Sequence, residues 1–534
     1  MERVLIIGNG YAGSRAARLL SGTGRFEVTT VCDESYPAYC RHLLPELAAG
    51  ERTVEELHLP AEDGDGTNAP VRNGAAVARL SAKDGKAWTT DGAEIPFDKA
   101  LIATGARVFV PGAFAGPVGA CDNVFAMRRM GEALALKRIL DRGGRTVAIV
   151  GAGRIGVLLA EALKRRGCAI HLVDIAPEIL ATMVDGDVAA RLRPHLAAEG
   201  VLTVLTGKTV ERVAVEGSSA RALRFSDGSE LACDAVVLAT GVVPNTGFLE
   251  GEPAEYQGGI PVNERMETRL PGVYAAGDVI RYTTVSGRTE SGQLVANARL
   301  QAEAAAANIA GGKVAAPPLF VANVVKIGRV VGARAGDIDG TGAEDFRVGA
   351  GFLRVTLEGT SVAGFQFVGR PEGLKIAVGG KGGAGKTTVC ALLAGILARA
   401  GHTVLLVDLD SDPNLASALG FPPDAALPIV HRRELIAERT GSAGEPGGMF
   451  VMNPGVSDIA ERFALKRTEK VFLLPVGTIE TGGEGCFCPQ AAFAKALLRK
   501  LSLSRDESLV LDLEAGLESF GRALVEGLDL LLIV

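Results

Sequence analysis

The chain repeats one pattern: a short run of apolar residues, a glycine-rich turn, and a helical stretch. Arg3–Ile7 (RVLII) runs into Gly8-Asn9-Gly10-Tyr11-Ala12-Gly13 and a predicted helix through Leu20; a second run, Val28–Cys32, ends at Asp33-Glu34. Mid-chain, Val147–Val150 leads into Gly151-Ala152-Gly153-Arg154-Ile155-Gly156, a helix to Arg166, and a strand His171–Val173 ending in Asp174. Leu101-Ile102-Ala103-Thr104-Gly105 and Leu238-Ala239-Thr240-Gly241 repeat one strand-end turn, once after each unit. Val273–Ala276 ends at Gly277-Asp278, ahead of a helical segment Leu294–Ala310. The pattern restarts at Lys375–Val378, continues through Gly380–Thr388 into a helix to Ala400, and adds strands at Val404–Val407, Leu509–Asp512 and Leu531–Val534. Continuous apolar strands alternating with helices predict an α/β chain built on parallel sheets.

Length and composition constrain this picture. At roughly 150 residues per domain, 534 residues make about three or four units. Lys plus Arg number 56 and Asp plus Glu 62, a formal charge of −6, which argues against nucleic acid or an anionic membrane as partner. Glycine, 69 of 534, is near twice the usual ~7% and is expected in the turns. No run approaches ~18 apolar residues, so no membrane span is expected. The first apolar run is too short for a signal peptide. The eight cysteines are mostly scattered singly, which suits a reducing, cytoplasmic setting. The six histidines form no visible triad with Ser and Asp and are read as structural or surface residues.

The turns carry the chemistry. A G-x-G-x-x-G between strand and helix lets backbone N–H groups approach a pyrophosphate at a helix N-terminus, and an acid at the end of the next strand can bond a ribose hydroxyl. Asp174 in that place favours NADH over NADPH, since a carboxylate repels a 2′-phosphate. With two such units, the two repeated turns and Gly277-Asp278, residues 1–370 resemble the flavoprotein disulfide reductase superfamily, most closely its nitrite reductase, rubredoxin reductase and NADH oxidase branch. The resemblance implies an FAD-binding domain from 1–115 and 235–312, an NAD(H)-binding domain from 116–234, and an α+β interface domain at 313–371. It implies a flavin set of Gly8, Gly10, Gly13, Asp33, Glu34, Arg41, Thr104, Gly105, Gly277 and Asp278. The nicotinamide set is Gly151, Gly153, Gly156, Asp174 and Gly241. Relatives often carry a glutamate two residues after the last fingerprint glycine, where this chain has Leu158.

Tyr39-Cys40-Arg41-His42-Leu43-Leu44-Pro45 resembles the flavin-side segment of that superfamily. Position 40 is often serine there, and in the NADH oxidase and coenzyme A disulfide reductase branch a redox cysteine lies in this segment. Cys40 is therefore either a catalytic thiolate over the flavin or an inert small residue. No C-x-x-C or C-x₄-C dithiol occurs, which argues against glutathione- or lipoamide-reductase chemistry. A small electron-transfer protein is one candidate partner.

Residues 380–388 fit G-x-x-x-x-G-K-[ST], a nest of N–H groups for phosphates. Gly382, Gly383 and Gly385 shape it, Lys386 reaches the phosphates, and Thr387, next to Thr388, takes Mg²⁺ with Asp512. Lys381, early in the loop, resembles the deviant-Walker, MinD/ParA-like ATPases, which sandwich ATP between two copies; a homodimer is expected. Asp410 would orient the attacking water. Cys486-Phe487-Cys488 supplies two thiolates, half of a four-donor nickel or zinc site that a symmetric partner copy would complete. With Asn414–Gly420 and Asp512–Glu518, residues 374–534 resemble the CooC-type nickel-insertion ATPase that matures carbon monoxide dehydrogenase, in a shortened form. The expected whole is a reductase using FAD and NAD(H) joined, from 373 to 534, to an ATPase using ATP and Mg²⁺. The alternative is an NADH oxidase-like enzyme with a non-catalytic P-loop half.

Overall fold

A computed structural model describes residues 1–533 except 60–69, 197–200, 250–255, 285–286, 291–292, 320, 349–350, 360, 370–373, 382–385, 400–401, 411–413, 423–426, 442–450, 452–453, 478–488, 502–506 and 514–527. Two compact units divide after Ala322.

In the first unit, Glu2–Ile7 pairs in parallel with Phe26–Cys32 on one side and Lys99–Ile102 on the other. Val273–Ala275 and Val71–Asn73 complete a five-stranded parallel sheet. The helices Tyr11–Ser21 and Val295–Ile309 pack against each other, and their alanine faces close the core over this sheet. A second five-stranded parallel sheet has Thr146–Val150 at its centre, between Ala169–Val173 and Ala235–Leu238. Leu202–Leu205 and Val124–Ala126 are its outer strands. Ala235–Leu238 thus belongs to the second sheet, so the return to the first domain drawn at 235 comes after this strand. Its AVVL side chains are fully buried between Thr146–Val150 and Val124–Ala126, a placement no local signal specifies. Small antiparallel sheets at 77–96 and 210–232 flank the two parallel ones.

In the second unit, strands between Ala322 and Gly369 form a five-stranded antiparallel sheet. The other sheet runs, in spatial order, Leu465–Thr468, Val471–Pro475, Thr403–Asp408, Glu507–Asp512, Lys375–Gly379 and Leu530–Ile533. All its pairings are parallel except that of Leu465–Thr468. The helix Lys386–Arg399 follows the strand Lys375–Gly379, which lies between Glu507–Asp512 and Leu530–Ile533. No helix among the described residues is long and apolar enough to cross a membrane.

Candidate functional site

The two fingerprints are built alike to within tenths of an ångström. Gly8 and Gly151 both have φ +109°; a Cβ there would lie 2.2 Å from the Ala103 carbonyl oxygen and 2.3 Å from that of Ala239, respectively. Only glycine fits, because the turn presses each strand end onto the neighbouring Ala-Thr-Gly turn. Gly13 and Gly156 are equally tight: an added Cβ would sit 1.9 Å from the carbonyl oxygens of Gly8 and Gly151. Around Gly10 and Gly153, by contrast, nothing lies within 4 Å of that position. The middle glycine of each turn therefore opens a face to a ligand, beside the N-terminal turns of the helices Tyr11–Ser21 and Arg154–Arg165. The residues fit a dinucleotide pyrophosphate at both turns.

The strand-end acids Asp33, Glu34 and Asp278 are each engaged by an arginine. Glu34, 8% exposed, accepts from the Tyr39 hydroxyl at 2.7 Å and pairs with Arg41 Nη2 at 2.7 Å. Arg41 Nη1 also donates to the Tyr39 oxygen (2.7 Å) and the Arg128 carbonyl (3.0 Å). Burial holds the Tyr39 phenol well above its ordinary pKa. Asp33 pairs with Arg129, and Asp278 with Arg128 Nη2 at 2.7 Å. Arg128 and Arg129 lie just ahead of the helix Met130–Asp141, 150 and 96 residues from those partners. Sequence reading missed both; their only local signal is an Arg-Arg pair between a strand and a helix. The Gly277 N–H is fixed by Gln301 Oε1 at 2.8 Å. Cys40 is half-buried and its thiol is free; its N–H donates to the Leu57 carbonyl at 2.7 Å, at the start of the turn Arg41–Leu43.

At the second fingerprint the acid turns inward. Asp174 accepts from the fingerprint's own Ala152 N–H at 2.5 Å and from the Ala176 N–H at 2.8 Å. Leu158 lies half-buried on the helix Arg154–Arg165. Thr104-Gly105 and Gly241 sit where the chain crosses between the two sheets, next to Ala106–Val108 and Val242–Pro244.

In the P-loop, Lys386 is buried and its Nζ donates to the Lys381 carbonyl at 3.3 Å. Thr387 is half-buried and Thr388 exposed. Gly382, Gly383 and Gly385 lie outside the described residues, as do Cys486 and Cys488. Asp408 and Asp512 end adjacent parallel strands in direct register, and both are buried. Asp408 accepts the N–H groups of Asp410 (3.1 Å) and Leu415 (3.2 Å). Neither side-chain oxygen of Asp512 has a hydrogen-bond partner among the described residues. Burial, then the charge of Asp512, pushes Asp408 up to about 7; burial also raises Asp512, against the pull of Thr387 and Lys386. Two buried carboxylates, that of Asp512 with both oxygens orphaned, beside a threonine hydroxyl and a lysine fit a hard divalent cation such as Mg²⁺. Among the described residues no cluster of three or more His, Cys, Asp or Glu side chains would hold a metal by itself.

Comparison with known proteins agrees with this division. Residues 2–302 match the pyridine nucleotide-disulphide oxidoreductase family, and 375–530 match the CobQ/CobB/MinD/ParA nucleotide-binding domain. Over 164 residues the chain is 44% identical to the carbon monoxide dehydrogenase accessory protein CooC of Rhodospirillum rubrum, covering 30% of this chain and 62% of that protein. Over 357 residues it is 29% identical to the NADH oxidase of Methanocaldococcus jannaschii, covering 64% of this chain and 77% of that enzyme. In fold it is similar to a NAD-dependent persulfide reductase from A. fulgidus (TM-score 0.62, 21% identity, 77% of this chain and 87% of that one). FAD and NAD(H) are the cofactors this family supports. Its first family match spanning more than half of the sequence, the protein belongs to the pyridine nucleotide-disulphide oxidoreductases, and its C-terminal part is similar to CooC over less than two thirds of that protein's length.

Proposed function

We propose that the chain is an NADH-dependent flavin reductase whose ATPase half supports nickel insertion into, or redox activation of, carbon monoxide dehydrogenase. The observation that carries this reading is the union, in one chain, of twin fingerprints and a P-loop domain 44% identical to CooC. The first fingerprint, with Arg41, Asp33, Glu34, Thr104, Gly105 and Asp278, would hold FAD, and the second, with Asp174 and Gly241, NAD(H). When bound, the flavin supplies the hydride and electron chemistry; the chain supplies position and charge. Gly10 and Gly153 open the turns to the two pyrophosphates. Arg128 and Arg129 add positive charge opposite the flavin-side acids.

In the other half, Lys386 and the loop amides would take the nucleotide phosphates, Thr387 and Asp512 the Mg²⁺, and Asp410 the attacking water. Lys381 would reach a partner copy across a homodimer, and Cys486 and Cys488 of two copies would hold nickel or zinc. The cytoplasm is the expected compartment. The reading is tested on the purified full chain. It requires a visible flavin spectrum that bleaches with NADH, and activation of carbon monoxide dehydrogenase that is lost in Lys386→Ala. Nickel binding unchanged in the Cys486→Ser plus Cys488→Ser double variant would remove the metal role.

A second reading is favoured by the half-buried thiol of Cys40 and the NADH oxidase similarity. There the chain is an NADH oxidase or coenzyme A disulfide reductase, and the P-loop half is a dimerisation module. NADH turnover lost in Cys40→Ser supports this reading; retained turnover supports a plain electron donor to a small protein.

A further inference from the structure

The two dinucleotide units lie on separate sheets, so hydride transfer between their ligands depends on how the strand ends of those sheets are held. Within the first unit the chain crosses between the sheets twice. It leaves the first after Lys99–Ile102 through Thr104-Gly105, and leaves the second after Ala235–Leu238 through Thr240-Gly241. The crossings pair antiparallel, Ala106 with Pro244, Arg107 with Val243 and Val108 with Val242. A two-stranded ribbon this short is marginal alone.

Hydrogen bonds clasp both of its ends. Thr104 Oγ1 donates to the Asn245 carbonyl at 2.8 Å, and Asn245 Nδ2 donates back to the Thr104 carbonyl at 2.9 Å. The Asn245 N–H donates to the Gly105 carbonyl at 2.9 Å. At the other end the Phe109 N–H donates to the Gly241 carbonyl at 2.9 Å, and the Thr240 hydroxyl donates to the Phe109 carbonyl. Each strand-end turn is therefore gripped by the opposite crossing. The clasp continues toward the flavin-side acid: Arg128 Nε donates to the Ala106 carbonyl at 3.1 Å while its Nη2 reaches Asp278. Other ties between the two regions include the Arg165–Glu51 and Arg129–Asp33 pairs, both largely exposed to solvent and correspondingly weak.

We propose that Asn245 is a positioning residue, whose three-bond clasp on Thr104-Gly105 sets the separation of the flavin and nicotinamide sites. This rests on the reading that the first fingerprint holds FAD and the second NAD(H). Asn245 takes no electron or proton. Its amide is needed because it supplies the donor for the Thr104 carbonyl while its backbone receives the Thr104 hydroxyl, a reciprocal pair that an alanine cannot make.

The test uses the full chain and four readouts: FAD bound per chain, NAD⁺ affinity by titration, hydrogen exchange of the Val242, Val243 and Asn245 amides, and the rate of flavin reduction by NADH and 4-deuterated NADH. In Asn245→Ala, exchange at these amides speeds up while FAD content and NAD⁺ affinity hold. Flavin reduction slows about ten- to hundred-fold, as expected for a misplacement near 1 Å, and its isotope effect rises. An unchanged rate overturns the proposal. So does a rate that falls only in proportion to lost FAD or weakened NAD⁺ binding, since that is a structural role. Should Asn245→Ala not fold, Asn245→Asp carries the same comparison. Aspartate keeps the size but replaces the Nδ2 donor to the Thr104 carbonyl by an acceptor, so it is expected to be slow with FAD content and NAD⁺ affinity held, and a native rate overturns the proposal. A native chain that binds no flavin, or whose flavin NADH does not reduce, instead removes the functional reading before any variant is made.

Discussion

Acids end the key strands in both halves of this chain, yet the two halves treat them differently. In the reductase half every such acid is answered by the protein: Asp33 by Arg129, Glu34 by Arg41 and Tyr39, Asp278 by Arg128, Asp174 by two backbone amides. In the P-loop half Asp408 and Asp512 lie side by side, buried, with Lys386 the cation named near them and both Asp512 oxygens unpartnered. A buried, unpaired carboxylate pays a large desolvation cost and responds by keeping its proton. The contrast teaches which site is complete as folded protein and which waits for a counter-charge. The dinucleotide sites carry their own electrostatics, whereas the P-loop site needs a cation.

The largest effect should come from the fingerprints themselves. Gly8→Ala forces a side chain into a positive-φ turn, costing about 1–3 kcal/mol in strain before the clash with Ala103 is counted. Flavin retention should be lost, read as the ratio of visible to protein absorbance. Gly151→Ala should keep the flavin and lose its bleaching by NADH; flavin loss in both variants would break the assignment of one ligand to each fingerprint.

Next is the pH response of the P-loop half. Asp408 has a folded pKa raised to about 7 from an unfolded value near 3.8, so the folded state binds the extra proton in this window. Stability of the cation-free protein therefore falls as pH rises from about 4 to about 7, by at most about 4 kcal/mol. Asp408→Asn should flatten that part of the profile, and Mg²⁺ with ADP should offset it near neutral pH, both followed by thermal unfolding of the full chain. A profile identical in the native chain and Asp408→Asn would place the titration elsewhere.

The reductase half offers two smaller tests of its charge pairing. Arg128 and Asp278 are each about a quarter exposed on their side chains, and their bond is charge-assisted. Arg128→Ala should weaken FAD binding by about 1.5–3 kcal/mol, ten- to hundred-fold in dissociation constant. Arg129 and Asp33 are about half exposed. Arg129→Ala should cost only about 0–1 kcal/mol. An equal loss in both variants would mean that exposure does not grade these pairs.

Much of the fold was legible because its signals are local. The strand read at 3–7 is Glu2–Ile7, the helix read to Arg166 is Arg154–Arg165, and the helical stretch 294–310 is Val295–Ile309. Buried parallel strands are continuous apolar runs, and glycine turns mark their ends, so period and punctuation suffice. Antiparallel pieces such as Val210–Phe225 and the ribbon of Ala106–Val108 with Val242–Pro244 went unread. They are short, partly exposed and paired by register, which no single segment states.

The sequence alone therefore determined the three phosphate-binding turns, the order of the units and the acids at their strand ends. These depend on residue type within a dozen positions, chiefly on where only glycine or a carboxylate suits the backbone. Tertiary structure decided what each acid meets. It brought Arg128 to Asp278 across 150 positions and Asn245 to Thr104 across 141, and it set Asp408 beside Asp512 in strand register. Partners so distant in the chain are chosen by the packing of whole sheets, because the free energy that aligns them is spread over the core rather than held in any one motif.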